Sequence, residues 1–344
     1  MAAFPSRSLY RLHELAFRTQ YAELKDRVRA AGPLLPGTPG ALYERTGTGH
    51  AHWYRVYYPV PGRQAEDWVA AGGDGKALEA ARQRIDLGRW VARQVADLRK
   101  LEFQVADKAV GLVLVHLHNR GLFEAGLTLV GTLGYMAWLN ELGARAIALR
   151  TQDVDLARRQ SLKLAAPLSF LKAVQATQLP FAAIPGLAHD APPTSVKLPG
   201  RDGLRVDLLA PGPSLGAPVR MPELQWHAQA VPFYDYLLEA PAWGALLAGG
   251  HCIPVRLPQP ERWVWHKLYS SASRQGFPEK AGKDLLQAAT LAAVLTEQGD
   301  DTLAESARDA PAALRAAARK RLPALRRILA SQLQALEQLE IGLA

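Results

Sequence analysis

The chain has 344 residues, 49 % of them hydrophobic, with one cysteine and a formal net charge of +9. That length suits two or three packed units. The lone Cys252 excludes an internal disulfide framework and a cysteine-rich zinc site, and fits a reducing compartment. MAAFPSRSLYRLHEL has no signal-peptide core, and no stretch approaches the roughly 18 apolar residues of a membrane span, so the expectation is a cytoplasmic protein with no membrane partner.

Taken in chain order, helical spacing of apolar residues predicts a helix over Tyr10–Ala31, broken by GPLLPGTPG. Two β-rich runs around Pro59–Gly62 predict a hairpin within about 41–70. Helical period returns over Ala77–Glu102 and continues over Ala106–Arg120, whose Val-rich centre also suits a buried strand. Gly126–Val130 reads as a short strand, Gly134–Leu142 as a helix, Ala146–Leu156 as a strand and Leu168–Gln178 as a helix. Phe181–Ile184 is a short strand candidate, and Ser195–Leu198 and Leu204–Leu209 flank the turn PGRDG as a second hairpin. Two further strands are expected at Val231–Leu238 and Cys252–Arg256, and everything beyond Glu261 reads helical. Alternating strands and helices from Gly126 to Gly212 give an α+β class with a small mixed sheet.

The chemistry concentrates in TQDVD. On a strand, residues two apart share a face, so Asp153 and Asp155 stand side by side with Val154 behind them. Adjacent carboxylates repel unless a cation lies between them, and Mg²⁺ favours carboxylate, phosphate and water oxygens. Alone, a D-x-D is a weak motif. Asp207 in LRVDLL is a third acid, with apolar Val206 and Leu208 on the opposite face. Adjacent strands would bring it beside the first two, and three carboxylates can hold two cations suited to phosphoryl displacement. Gly131–Thr132 ends one apolar run and opens a helix: glycine permits close backbone approach to a phosphate, and a hydroxyl with helix amides can bind its oxygens. The plainer reading of that pair is a strand-to-helix turn with Thr132 as N-cap.

Together these residues resemble the polymerase-beta-like nucleotidyltransferases. More narrowly they are similar to the bacterial group that includes abortive-infection and toxin–antitoxin nucleotidyltransferases. There, a G-G-T or G-G-S precedes a T-x-D-x-D-like run. WHKLYSS at 265–271, then Arg274, Lys280, Lys283 and Asp284, resembles that group's helical signature. The resemblance covers about residues 120–295. It departs from the pattern at Val130, where a first glycine stands in the group, at Thr132 for serine, and in the longer gap from Gly131 to Asp153.

The resemblance implies a nucleotidyltransferase palm over residues 106–260, between an N-terminal helical region with the hairpin, 1–105, and a C-terminal helical domain, 261–344. It implies two Mg²⁺ (or Mn²⁺) ions on Asp153, Asp155 and Asp207, with Asp207 also helping to deprotonate an acceptor hydroxyl. Gly131, Thr132, Lys267 and Lys283 would hold the NTP; the two lysines read equally as solvent-exposed helix charges. Asp284 reads as a structural partner for a nearby cation. The acceptor would be RNA or tRNA, a protein or a small molecule, and the setting a toxin or phage-defence system with an antitoxin or regulatory partner. The rival reading is a non-catalytic nucleic-acid-binding module on the same fold.

Other features have plainer readings. His266 beside Trp265 reads as a satisfied semi-buried residue, and His116 and His118 diverge if their segment is helical. The basic run Arg315–Arg327 reads first as a solvated helix face. HAHWYRVYY at 50–58 interleaves aromatics and cations; it reads as a hairpin with one packed face, and as the first contact surface if the acceptor is RNA.

Overall fold

The acidic strands lie in the middle of an α+β fold, and the elements around them explain why. The structure is a computed structural model that describes residues 8–47, 50–147, 151–185, 191–274, 276–299 and 302–344. In chain order it begins with β1 (Tyr10–Leu12), α1 (Leu15–Ala31), β2 (Ala41–Gly47), β3 (His50–Val60), β4 (Arg63–Ala71), α2 (Gly75–Lys100) and α3 (Lys108–His118). The central part is β5 (Thr128–Leu129), α4 (Gly131–Glu141), β6 (Ala144–Ala146), β7 (Asp153–Ala157), α5 (Phe170–Gln175), β8 (Ala182–Ile184), β9 (Ser195–Lys197) and β10 (Arg205–Pro211). Then follow β11 (Pro218–Met221), β12 (Trp226–Val231), α6 (Tyr234–Leu237), β13 (Ala242–Ala248) and β14 (His251–Leu257). The remainder is helical: α7 (Pro260–Ser273), α8 (Pro278–Glu297), α9 (Thr302–Arg308), α10 (Ala312–Arg319), α11 (Leu322–Ile328) and α12 (Leu333–Leu343).

The central sheet runs β11–β12–β10–β7–β5, with β9 on β10 and β8 on β9. Its β7–β10 pair is parallel and its β5–β7 and β9–β10 pairs are antiparallel. Val154, Leu156, Val206 and Leu208 are fully buried on one face of that pair. Burying four such side chains contributes roughly 1.5–3 kcal/mol each and fixes which face remains for the acids.

The helices close over this sheet. Ten consecutive residues of α8, Gln287–Thr296, are buried, so this part of the helix is enclosed on every side, as a central helix must be. One core runs from Tyr10 through α3, α4 and the sheet to Leu343, so the central and C-terminal parts share it. A smaller core joins α1 and α2 to β13 and β14 through Leu24, Val95, Leu98 and Cys252. No helix among the described residues is long and apolar enough to cross a membrane.

Several expectations need correction. The expected helix over Tyr10–Ala31 starts only at Leu15; Tyr10–Leu12 pairs instead with Ala144–Ala146. That long-range ladder leaves no trace in local periodicity. The hairpin at β3–β4 gains a third strand, β2, whose mostly exposed residues give no apolar signal. The expected strand Val231–Leu238 stops at its first residue. Phe233 takes φ +62° and the chain turns into the short helix α6. The run Ala146–Leu156 divides between β6 and β7, and its residues 148–150 lie outside the described residues. Strands β11 and β13 were not anticipated. The segment Ala106–Arg120 is helical, so His116 and His118 diverge.

Candidate active site

Asp153 and Asp155 lie on β7, Arg205 and Asp207 on β10, and the parallel register pairs Asp153 with Arg205 and Asp155 with Asp207. Adjacent strands lie about 4.8 Å apart, so each pair is in direct lateral contact through its backbone. The period of two puts all four side chains on the face opposite the buried valines and leucines. Asp153 is exposed, Asp155 half-buried and Asp207 buried.

The two central acids are treated differently. Asp207 accepts hydrogen bonds from the Ser195 hydroxyl and from Arg205 Nε at 2.7 Å, and Arg205 Nη2 donates to Ser195 Oγ at 2.8 Å. Burial pushes the Asp207 carboxyl above its ordinary range, while Ser195 and Arg205 pull the other way. The Asp155 carboxylate makes no hydrogen bond or ion pair among the described residues. Its pKa is pushed up to about 6, first by burial, then by the charges of Asp207 and Asp153. Lys267 and Arg205 oppose that shift. Like charges held together without a counter-ion are what a cation would relieve.

Gly131 closes over Asp155 from the side of α4. The Val130 N–H donates to the Asp155 carbonyl at 3.0 Å, which brings the helix start onto β7. Gly131 has φ +65°, and a Cβ placed there would stand 2.0 Å from Asp155 Oδ2. Only glycine meets both demands. The cap of α4 is Val130 rather than Thr132, which lies inside the first turn and is buried. The Thr132 hydroxyl has no hydrogen-bond partner among the described residues.

The basic side comes from α7 and α8. Lys267 Nζ meets Asp284 Oδ1 at 2.6 Å, Arg274 Nε meets Asp284 Oδ2 at 2.6 Å, and Lys267 lies 5.1 Å from the Trp263 ring centre. Burial raises the Asp284 carboxyl, but the two cations outweigh it and hold it below the usual carboxylate range. Asp284 is therefore a structural partner, and Lys267 is engaged with it. Lys283 is half-buried and has no partner among the described residues. Burial and Lys267 lower its pKa, while Asp284, Asp153 and Asp155 favour its charge.

Sequence reasoning missed Ser195, Arg205 and Tyr234. Tyr234 is buried, edge-on to His266 at 5.0 Å, and burial and the charge of Asp155 push its phenol well up. His266 Nε2 lies 3.2 Å from the Pro232 carbonyl, and burial lowers its pKa to about 4, so it is a neutral packed residue at pH 7. The basic run is partly structural: Arg319 caps the α12 carbonyls, Arg321 donates to the Ser271 carbonyl, and Arg326 pairs with Glu340 at 2.8 Å.

Among the described residues no three His, Cys, Asp or Glu side chains close into a metal-holding group. The carboxylate pair Asp155–Asp207 nevertheless has the donor chemistry for a hard divalent cation. Mg²⁺ commonly uses one or two carboxylates and completes its shell with water and substrate phosphate.

No curated protein matches the chain. A solved structure, an antigenic nucleotidyltransferase-like protein from Paracoccidioides brasiliensis, is similar at 16 % identity and a TM-score of 0.38, over 67 % of this chain and 92 % of that one. A family model described as a nucleotidyltransferase matches residues 108–312, which is more than half of the 344 residues and contains the start of α4, all three acids, Lys267 and Lys283. The chain belongs to that nucleotidyltransferase family.

Proposed function

We propose that this chain is a metal-dependent enzyme that moves an NMP from an NTP onto a hydroxyl acceptor. The observation that carries the reading is the Asp155–Asp207 pair, with the Asp155 carboxylate, unpartnered among the described residues, pressed against the glycine that opens α4. Asp155 and Asp207, with Asp153 on the same face, would hold one or two Mg²⁺ or Mn²⁺ ions, which when bound neutralise phosphate charge and make an acceptor oxygen more acidic.

The chain's own groups divide the remaining work. The backbone at Gly131 and the first turn of α4 offer N–H groups and a positive helix end to the β- and γ-phosphates. Lys283, half-buried and unpaired among the described residues, supplies a positive charge to the same triphosphate. Asp207 is oriented by Ser195 and Arg205, so its carboxylate is fixed in place to take the acceptor proton. The acceptor oxygen forms a bond to the α-phosphorus as the bridge to the β-phosphate breaks, and pyrophosphate leaves with the electron pair. Lys267 acts through Asp284, which it anchors.

The toxin or phage-defence setting, with its antitoxin partner, rests on the resemblance alone; none of the site residues bears on it. Transfer of α-phosphate label from each NTP, with Mg²⁺ or Mn²⁺, to total RNA or lysate protein tests the reading. Transfer that disappears in Asp155→Asn supports it. Salt-sensitive RNA binding with no transfer by the wild type, under either metal and with every NTP, supports the non-catalytic alternative.

A further inference from the structure

A cavity of about 660 Å³ opens between β1, the end of α2, the first turns of α4 and β6. That volume suits a nucleotide-sized ligand. Leu133, which lines it, stands two residues beyond Gly131, and Thr151, which also lines it, two residues before Asp153. The cavity therefore borders both the helix start and the strand that carry the candidate catalytic groups.

Its charge is unusual. Arg11, Arg99 and Arg145 line it, and Arg11 and Arg145 are direct partners in the β1–β6 ladder. Like charges directly opposite in a sheet are destabilising unless compensated. Glu102 compensates Arg145 through an ion pair, and does so from a left-handed backbone at φ +67° that favours glycine. Asp107 is the other acid in the lining. Arg11 and Arg99 are exposed, and their side chains have no hydrogen bond or ion pair among the described residues. Phe103, Leu133 and Met136 add an apolar wall beneath these cations.

The outward face of the β2–β4 sheet is the rival surface for an acceptor. Tyr43, Tyr54 and Trp68 are in register across its three strands. Its charge is compensated, however: Arg45, which shares that face, is ion-paired with Glu66 at 3.0 Å. A face without net charge gains little from phosphate contacts, which dominate nucleic-acid affinity.

We infer that the arginine-lined cavity is the acceptor subsite and that it takes a single-stranded nucleic-acid end. Arg11 and Arg99 hold its phosphates, and a sugar or base rests on Phe103, Leu133 and Met136. The acceptor role rests on the transferase reading above; the strand-binding role does not.

The test is anisotropy of a short fluorescein-labelled single-stranded RNA with the full-length protein, without nucleotide, over a salt series. Arg11→Gln with Arg99→Gln should weaken binding about tenfold and flatten the log–log salt slope by roughly 1.4, two phosphate contacts at about 0.7 each. Both side chains are exposed, so the variant should keep the wild-type melting temperature. Asp155→Asn should bind the RNA at least as tightly as wild type. Wild-type affinity and slope in the double variant would overturn the assignment. So would a wild-type protein that binds no RNA and labels lysate protein instead. Arginine-dependent RNA binding in a wild type that transfers no nucleotide would sink the transferase reading and leave the strand-binding role standing.

Discussion

Asp155 and Asp207 are partners across two parallel strands, yet among the described residues only Asp207 has a cation and a hydroxyl on its carboxylate. The asymmetry assigns different tasks to neighbours of identical chemistry. Asp207 is positioned by its partners, and Asp155 is held charged at a cost.

That cost can be measured. With its pKa at about 6, folded Asp155 keeps its proton from about pH 4 to pH 6, where the unfolded residue has lost it. Stability therefore falls as pH rises through that window, and above pH 6 the penalty is constant. In metal-free buffer at pH 7.5, Asp155→Asn should stabilise the fold by on the order of 2 kcal/mol, and the gain should fade as pH drops from 6 to 4. The same variant should lose nucleotide transfer. Thermal melts across pH check the first statement, and a variant no more stable than wild type at pH 7.5 would refute it.

Divalent metal should act in the opposite direction to that repulsion. Adding Mg²⁺ or Mn²⁺ to the wild type should raise its melting temperature, and the rise should be much smaller in Asp155→Asn. Chelation should abolish transfer. An equal rise in both proteins would place the metal elsewhere.

Gly131 allows one conformation and leaves no space. Gly131→Ala should lower transfer at least about a hundredfold by displacing Asp155, with a stability loss of roughly 1–3 kcal/mol from the left-handed backbone. Gly200 also has positive φ but has nothing within 4 Å of its would-be Cβ. Gly200→Ala should therefore carry the backbone strain without the loss of transfer.

The two lysines should separate. Lys283→Gln removes an unpaired cation and should raise the KM for NTP about tenfold with little change in melting temperature. Lys267→Gln leaves buried Asp284 with Arg274 alone and should destabilise by about 1–3 kcal/mol. Steady-state kinetics beside melting curves distinguish the two.

Much of the site was legible because a strand has period two. That alternation put Asp153 and Asp155 on one face, and Val206 and Leu208 told which way Asp207 points. The same rule, applied two residues upstream, would have found Arg205. Counting the hairpin register across PGRDG would have found Ser195 opposite Asp207. The family match agrees with the resemblance carried by these residues at the level of nucleotidyltransferase. The parallel pairing of β7 with β10 was not legible, since some fifty residues intervene and no local signal encodes it. Tyr234 was hidden for a different reason: its apolar run looked like a strand, and a positive φ at Phe233 turned it into helix.

The short first strand has a practical meaning for anyone shortening this protein. Tyr10 donates its hydroxyl to the Ala293 carbonyl at 3.1 Å and to Glu297, so the N-terminal strand is fastened to α8 as well as to β6. A truncation that begins after Leu12 strips the outer edge from β6 and leaves unpaired backbone groups open to a neighbouring chain. Such a fragment is expected to self-associate.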